Sequence, residues 1–599
     1  MAFVLSFDAE KPETPKANIP IGDCEIERIA WVGDERLLVW VLLDKNKKGQ
    51  TTGIRWKGDV IRQFTRRVIA MDADGQNQVI LFGNQKSTLS SRRNLGDVVD
   101  FSSEDGNSIL MQAWDSQYNC LALHQVDVTT GNATLLERGA SATDGWLTQK
   151  GVPVIRLDST GSTVSVQTRA PGQTEWTFYK KYRRNEAAKL DGIDFLGSTP
   201  EPGIMLVATT LDGEDTQSIR TFDVRDLQFK TKVGGRSDRD MSGCVADRAR
   251  RLVATTWIDD RLNYEFVDPD LARHYRSIGG FFKNDCNVAI RSISLQQDRL
   301  LVYVSGPRHA GSYWLYDRTK AKLQPLGAAY SGLSQTPLAG MEAIKLVSRD
   351  GRTLAAYLTT PTKATGKRPL IVLPHGGPET RDIYDFDPLV QALALEGWMV
   401  LQVNFRGSSG YGRAFADAGR KRWGDLMQND VEDAVQTVLD RGEVDPSRIA
   451  ICGISYGGYA ALMGAVKTPD RYKAVVSIAG VSDLMKMLGF VRDIEGSSSM
   501  GYEYWLKTIG DPSNDRKAIA AASPALRAKE IKAPVLLMHG DLDGVVGVEQ
   551  SRIMRNALKG AGRPVDYVEV PTEGHPNWGE DNHQMMVTRT IEHIRKAFA

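Results

Sequence analysis

Apolar and polar positions alternate in short runs through the first half of the chain. Segments 26–43, 79–82, 108–113, 252–257 and 299–304 are largely apolar or β-branched and bounded by Gly, Asp and Asn, the pattern of half-buried strands. Helical periodicity of useful length is nearly absent between residues 20 and 335. Turn formers recur there: Asp72-Ala73-Asp74-Gly75, Asp127-Val128-Thr129-Thr130-Gly131, Ala170-Pro171-Gly172-Gln173, Asp223-Val224-Arg225-Asp226, Asp268-Pro269-Asp270 and Asp317-Arg318-Thr319. Their spacing of roughly fifty residues is near the size of a four-stranded propeller blade. The spacing predicts six blades, or seven with one divergent copy. An irregular pair of β-sandwiches is the alternative. The stretch from Ser331 to Gly340 is rich in turn formers and reads as a linker.

Beyond it the period changes. Apolar runs at 370–373, 399–403, 449–452, 474–478, 535–538 and 565–570 alternate with helical patterns at 387–396, 429–441, 551–559 and 584–598. Such alternation predicts a mostly parallel, doubly wound sheet covered on both faces. The expected organisation is an all-β propeller over 1–335 and an α/β domain over 341–599.

Composition narrows the functions this architecture can serve. A chain of 599 residues is too long for one ordinary core. Its formal net charge of +1 gives no reason to expect nucleic acid or an anionic membrane as partner. No apolar run approaches the ~18 residues of a membrane span. The opening Met1-Ala2-Phe3-Val4-Leu5-Ser6-Phe7 lacks the basic and apolar regions of a secretion signal, so a cytosolic protein and one whose signal has been removed both fit. The five cysteines, Cys24, Cys120, Cys244, Cys286 and Cys452, show no C-x-x-C spacing, so neither a disulfide scaffold nor a zinc site is expected. His124, His274 and His309 have no partners at ligand spacing, and no metal or organic cofactor is predicted.

The chemistry centres on one serine. Gly453-Ile454-Ser455-Tyr456-Gly457-Gly458 follows an apolar strand and opens a helix, the pattern of a nucleophile elbow. A serine needs a base within hydrogen-bond reach, and that base needs an acid to fix its tautomer. On an α/β-hydrolase fold both follow the serine, acid before histidine, at later strand ends. Strand 535–538 ends in His539-Gly540-Asp541-Leu542-Asp543, and strand 565–570 ends in Pro571-Thr572-Glu573-Gly574-His575. His575 is assigned as general base and then acid, with Asp543 orienting it and Asp541 as the rival acid. His539 and His583 are assigned no catalytic part. The oxyanion needs the N–H after the nucleophile, Tyr456, and one from an early loop. Pro374-His375-Gly376-Gly377-Pro378 supplies that loop, and Gly377 is the chosen donor.

These motifs, with Asn404-Phe405-Arg406-Gly407-Ser408-Ser409-Gly410-Tyr411-Gly412, resemble the prolyl oligopeptidase family of serine peptidases, in particular its acylaminoacyl-peptidase and dipeptidyl-peptidase-like bacterial branch. The resemblance spans the C-terminal domain and favours Asp543 over Asp541 as the acid. It implies an α/β hydrolase capped by a propeller, usually seven-bladed, that hydrolyses short, unstructured peptides. Many members carry Arg or Asn two residues after the acid to bind a substrate carbonyl, and Pro often follows the next valine; here those positions are Val545 and Gly547. Arg406 reads as an organiser of its loop. Tyr502, Tyr504 and Trp505 either line a pocket for the residue before the scissile bond or anchor a helix to the sheet.

The sequence thus predicts a serine peptidase acting near the N-terminus of short peptides through an acyl-enzyme on Ser455. The alternatives are an esterase or amidase on non-peptide acyl groups, and a propeller binding protein with a vestigial hydrolase domain. Association into a homo-oligomer is left open.

Overall fold

The structure, a computed structural model, describes every residue except 1, 9–10, 34, 46–52, 57–58, 84–93, 102–105, 161–162, 184–192, 212, 363–365 and 577. Met1 of the opening segment and Asp34 inside the first apolar run lie outside them. Six antiparallel sheets span 25–80, 97–138, 143–183, 194–234, 241–266 and 287–328, each built from strands that neighbour one another in chain order, apart from a hairpin inserted within the first. This is a six-bladed propeller.

Period-two alternation fastens neighbouring blades together. Along strand Arg36–Leu43, Leu38 and Trp40 face the second blade, while Leu37, Val39 and Val41 face the other way. That second face is covered by a hairpin of Ala2–Asp8 and Lys11–Gly22, whose Val4 and Ile19 pack on it. The second hairpin strand also lies against the last strand of the sixth blade, Lys322–Ala328. The hairpin therefore fills the seam between first and last blades.

All six turn signals fall at the end of a blade's third strand. The aspartate side chains explain why: Asp127 Oδ1 accepts from the N–H groups of Thr129 and Thr130, and Asp317 Oδ1 from that of Lys320. Five signals lead on to a fourth strand. The exception falls where helical periodicity reads as nearly absent: Asp268 caps a helix, Pro269–Phe281, accepting from the Asp270 N–H at 2.8 Å. This helix replaces the fourth strand of the fifth blade, and Leu271 and Ile278 enter the core shared with the sixth. The run 26–43 is two strands, Glu25–Val32 and Arg36–Leu43, and the strand in 79–82 stops at Ile80, where Leu81 and the left-handed Phe82 (φ +61°) turn into the core.

The C-terminal half is an α/β hydrolase, and its elements are numbered from its own start. Its sheet contains β1 (Gly340–Val347), β2 (Thr353–Thr360), β3 (Arg368–Val372), β4 (Met399–Asn404), β5 (Val444–Ile454), β6 (Ala474–Ile478), β7 (Val535–Gly540) and β8 (Val565–Val570). The order is β1-β2-β4-β3-β5-β6-β7-β8, antiparallel at β1 and β2 and parallel from β4 onward. One face is covered by α1 (Pro388–Leu395) and a long C-terminal helix, Glu580–Phe598, through residues such as Leu393 and Ile594. The other packs against α2 (Leu426–Asp440), α3 (Tyr456–Lys467), α4 (Leu484–Glu495), α5 (Met500–Thr508) and α6 (Glu549–Gly560). Among the described residues no helix is long and apolar enough to cross a membrane.

Blades four to six are bonded to loops that leave the C-terminal ends of β3 and β4. Arg381 donates to the carbonyls of Ile258 and Asp259, Asn287 Nδ2 donates to Tyr384 O, and Tyr384 Oη donates to Asp285. The N–H groups of Gly412 and Ala414 donate to Asp240 and Asp215. The propeller is thereby held against the edge of the sheet that carries the candidate site.

Candidate active site

Strand β5 ends at Ile454 and α3 begins at Tyr456, leaving Ser455 alone on the turn with φ +60° and ψ −122°. This strained conformation is held by the Ser455 N–H donating to Ile478 O on β6 and by Ser455 O accepting from Tyr459 N–H. The glycines around it are required by contact. A Cβ on Gly453 would lie 2.3 Å from the Gly457 backbone, and one on Gly457 would lie 2.2 Å from Pro374 O. Gly457 thus lets the elbow press on the loop after β3. A Cβ on Gly376 in that loop would stand 3.7 Å from Ser455 Cβ, so the predicted oxyanion loop does run beside the serine.

His375 fixes this loop from beneath. Its ring is stacked on Phe405 at 4.3 Å and buried. Nδ1 lies 2.7 Å from Gly376 O, which can only accept, so Nδ1 carries the hydrogen. Burial pushes the pKa of the ring down to about 4, keeping it neutral at pH 7, and Nε2 faces Ser408 Oγ at 2.9 Å. Because a trans peptide directs its C=O and N–H to opposite sides, anchoring Gly376 O turns the Gly377 N–H the other way. Tyr456 is the first residue of α3, so its N–H has no carbonyl partner within the helix. Of the two predicted oxyanion donors, Tyr456 directly follows the serine and Gly377 directly follows Gly376, the loop residue beside it.

The predicted acid and base meet through a second close approach. A Cβ on Gly540 would lie 2.4 Å from Glu573 O, and the N–H groups of Asp541 and Leu542 donate to the carbonyls of Val570 and Glu573. The loops after β7 and β8 are thereby clamped together, which brings Asp543 Oδ2 to 2.7 Å from His575 Nδ1. Asp543 is buried, and its Oδ1 accepts from the N–H groups of Val545 and Val546 at 2.8 and 2.9 Å. Burial would raise the pKa of this carboxyl, but the bonds from His539 and His575 outweigh it and hold the group well below the usual carboxylate range. His575 keeps a quarter of its side chain exposed, and Ser455 is half-buried. The structure pairs His575 with Asp543 and not with Asp541, while His583 lies in the first turn of the C-terminal helix.

The remaining sequence candidates divide. Trp505 packs against Trp423 at 5.9 Å, Trp423 lies edge-on to Tyr456 at 4.5 Å, and Tyr504 packs on Trp505 at 5.0 Å. An aromatic wall thus runs from α5 to Tyr456, the residue after Ser455. Tyr502 and Trp505 also pack on the hydrolase core, so α5 is anchored by the side chains that extend the wall. Val545 is half exposed, and only its backbone is engaged. Arg406 is buried between Asp430 and Asp350 and organises the loop after β4. His375 carries no reading of its own in the sequence, whereas His539, read there as structural, is fully buried at the end of β7.

Comparison with known proteins gives the family. The sequence profile described as the prolyl oligopeptidase family matches residues 384–597. Dipeptidyl aminopeptidase BIII of Pseudoxanthomonas mexicana is 30% identical over 511 residues, covering 82% of this chain and 72% of that protein. The chain belongs to the prolyl oligopeptidase family. It is a serine peptidase of that family, an α/β hydrolase with an N-terminal propeller. The acylamino-acid-releasing enzyme of Mus musculus is 31% identical over 227 residues, covering 37% of this chain and 30% of that enzyme. A puromycin-hydrolysing peptidase of Mycobacterium tuberculosis shares the fold across 98% of both chains, with a TM-score of 0.69 and 19% identity.

Proposed function

We propose that this peptidase releases dipeptides from the free N-terminus of short peptides, with residues 1–335 as the cap and 341–599 as the catalytic domain. The observation that carries the site assignment is the Asp543–His575 pair, seated on the loop that Gly540 clamps to its neighbour. Ser455 Oγ attacks the scissile carbonyl as His575 Nε2 takes its proton. The N–H groups of Tyr456 and Gly377 hold the oxyanion. His575 then protonates the leaving amine, and water repeats the sequence on the acyl-enzyme. Asp543 keeps His575 in the tautomer and orientation both steps need. Tyr504 and Trp505 line the pocket before the scissile bond, and Val545 adds an apolar edge.

The preference for a free N-terminus draws on the relatives. The dipeptidyl aminopeptidase matches 82% of the chain, propeller included, whereas the acylamino-acid-releasing enzymes of Mus musculus and Arabidopsis thaliana match 37% and 55% of it. The test compares release from a free-amine dipeptide anilide, its N-acetylated form and an N-acetyl amino-acid anilide. The free dipeptide is expected to be the best substrate. Preference for the acetylated amino acid would instead make the enzyme an acylaminoacyl-peptidase, and turnover of aryl esters alone would make it an esterase.

A further inference from the structure

Asp543 holds one histidine more than the reaction uses. His539 ends β7 with its ring fully buried. Nε2 lies 2.8 Å from Val546 O and 3.2 Å from Asp543 Oδ2, and Nδ1 lies 2.7 Å from Ser551 Oγ on α6. A carbonyl oxygen and a carboxylate oxygen only accept, so Nε2 carries the hydrogen and directs it between them. The Ser551 hydroxyl can then donate to Nδ1, which satisfies both nitrogens of a neutral ring.

We propose that His539 is a positioning residue for the peptidase reaction, acting through Asp543 by donating to the same carboxylate oxygen that His575 uses. The proposal rests on the reading of Asp543 and His575 as the acid and base. Two consequences follow from the geometry. The bond to Val546 O ties the turn after β7 back to the strand, so the carboxylate is presented to His575 at a fixed place. The second donor on Oδ2 also draws charge from that oxygen and loosens its hold on the His575 proton.

Asp541, two residues before Asp543 on the same turn, has a buried Oδ1, and the charged groups of the flanking loop and helix have partners of their own. Glu573, beside His575 in the loop after β8, accepts from Gly579 N–H and Asn582, and Arg552 on α6 pairs with Glu569. Taking away the His539 donor should therefore act on Asp543 and His575 directly. Fewer donors leave more charge on the carboxylate, which stabilises the imidazolium. The acid limb of the pH–rate profile should move upward while kcat falls.

The experiment measures kcat and KM on a chromogenic peptide substrate from about pH 5 to 9 for the wild type, His539→Leu, His539→Gln and Ser551→Ala. A fluorophosphonate titration in parallel counts competent Ser455. His539→Leu is expected to lower kcat by about 10- to 100-fold with KM within about twofold, and to raise the acid limb by about half a unit. His539→Gln, which keeps an N–H donor near the Nε2 position, should recover most of the rate and return the limb towards the wild-type value. Ser551→Ala should shift both quantities the same way by a few-fold at most. Wild-type kcat and limb in folded His539→Leu would overturn the proposal, as would equal losses in Leu and Gln with an unmoved limb. If His539→Leu fails to fold, Ser551→Ala decides: a moved limb supports positioning, and wild-type values overturn it. A wild-type enzyme that does not take the probe at Ser455 would overturn the underlying assignment of the nucleophile, and this proposal with it.

Discussion

Val302 in the sixth blade and Gly457 behind Ser455 are both buried, yet they constrain the sequence in different ways. Val302 is one of several β-branched residues filling the space between the fifth and sixth blades, and another side chain of similar volume could do the same. Gly457 faces backbone: a Cβ there would sit 2.2 Å from Pro374 O, and neither α3 nor the loop after β3 can give way without moving a predicted oxyanion donor. The propeller asks for a pattern repeated six times, whereas the hydrolase site asks for particular residues at particular strand ends. Sequence divergence should therefore erode the first half faster than the second.

Two substitutions sharpen the contrast. Gly457→Ala should lower kcat/KM by more than about 100-fold, because a displacement of about an ångström at reacting groups costs that much. Steady-state kinetics with circular dichroism as a fold control would check it, and near-native activity would show that the elbow has slack the packing denies. Val302→Ala should do the reverse. It removes two buried methyl groups and should destabilise the propeller by about 2 kcal/mol, with kcat/KM changed by less than about twofold. A lowered unfolding midpoint with intact kinetics is the expected result, and a parallel loss of activity would mean that the sixth blade positions the site.

How much of this was legible in the sequence follows the same division. The elbow, the Gly-Gly loop and His575 could be read directly, since close backbone approach and acyl-transfer chemistry leave few residue choices, whereas the choice of Asp543 over Asp541 needed the family resemblance. Asp127 and Asp317 marked blades because a side chain that accepts from the next N–H groups makes a turn wherever it stands. The same capping chemistry misled at Asp268, where the bonded N–H opens a helix in place of a strand. The seam-filling hairpin was not visible, since its register depends on the face of Arg36–Leu43 that the blades leave uncovered. His375 was missed for another reason: it acts by anchoring a neighbouring group, Gly376 O, and such a role has no spacing of its own.

The central claim is that Ser455 is the nucleophile, and covalent titration tests it most directly. One equivalent of a fluorophosphonate per chain should attach to the wild type at Ser455, with loss of peptidase activity in proportion. Ser455→Ala should take up none and should lose activity by about 10³-fold or more while remaining folded. Undiminished labelling, or activity within tenfold of wild type, in Ser455→Ala would contradict the account.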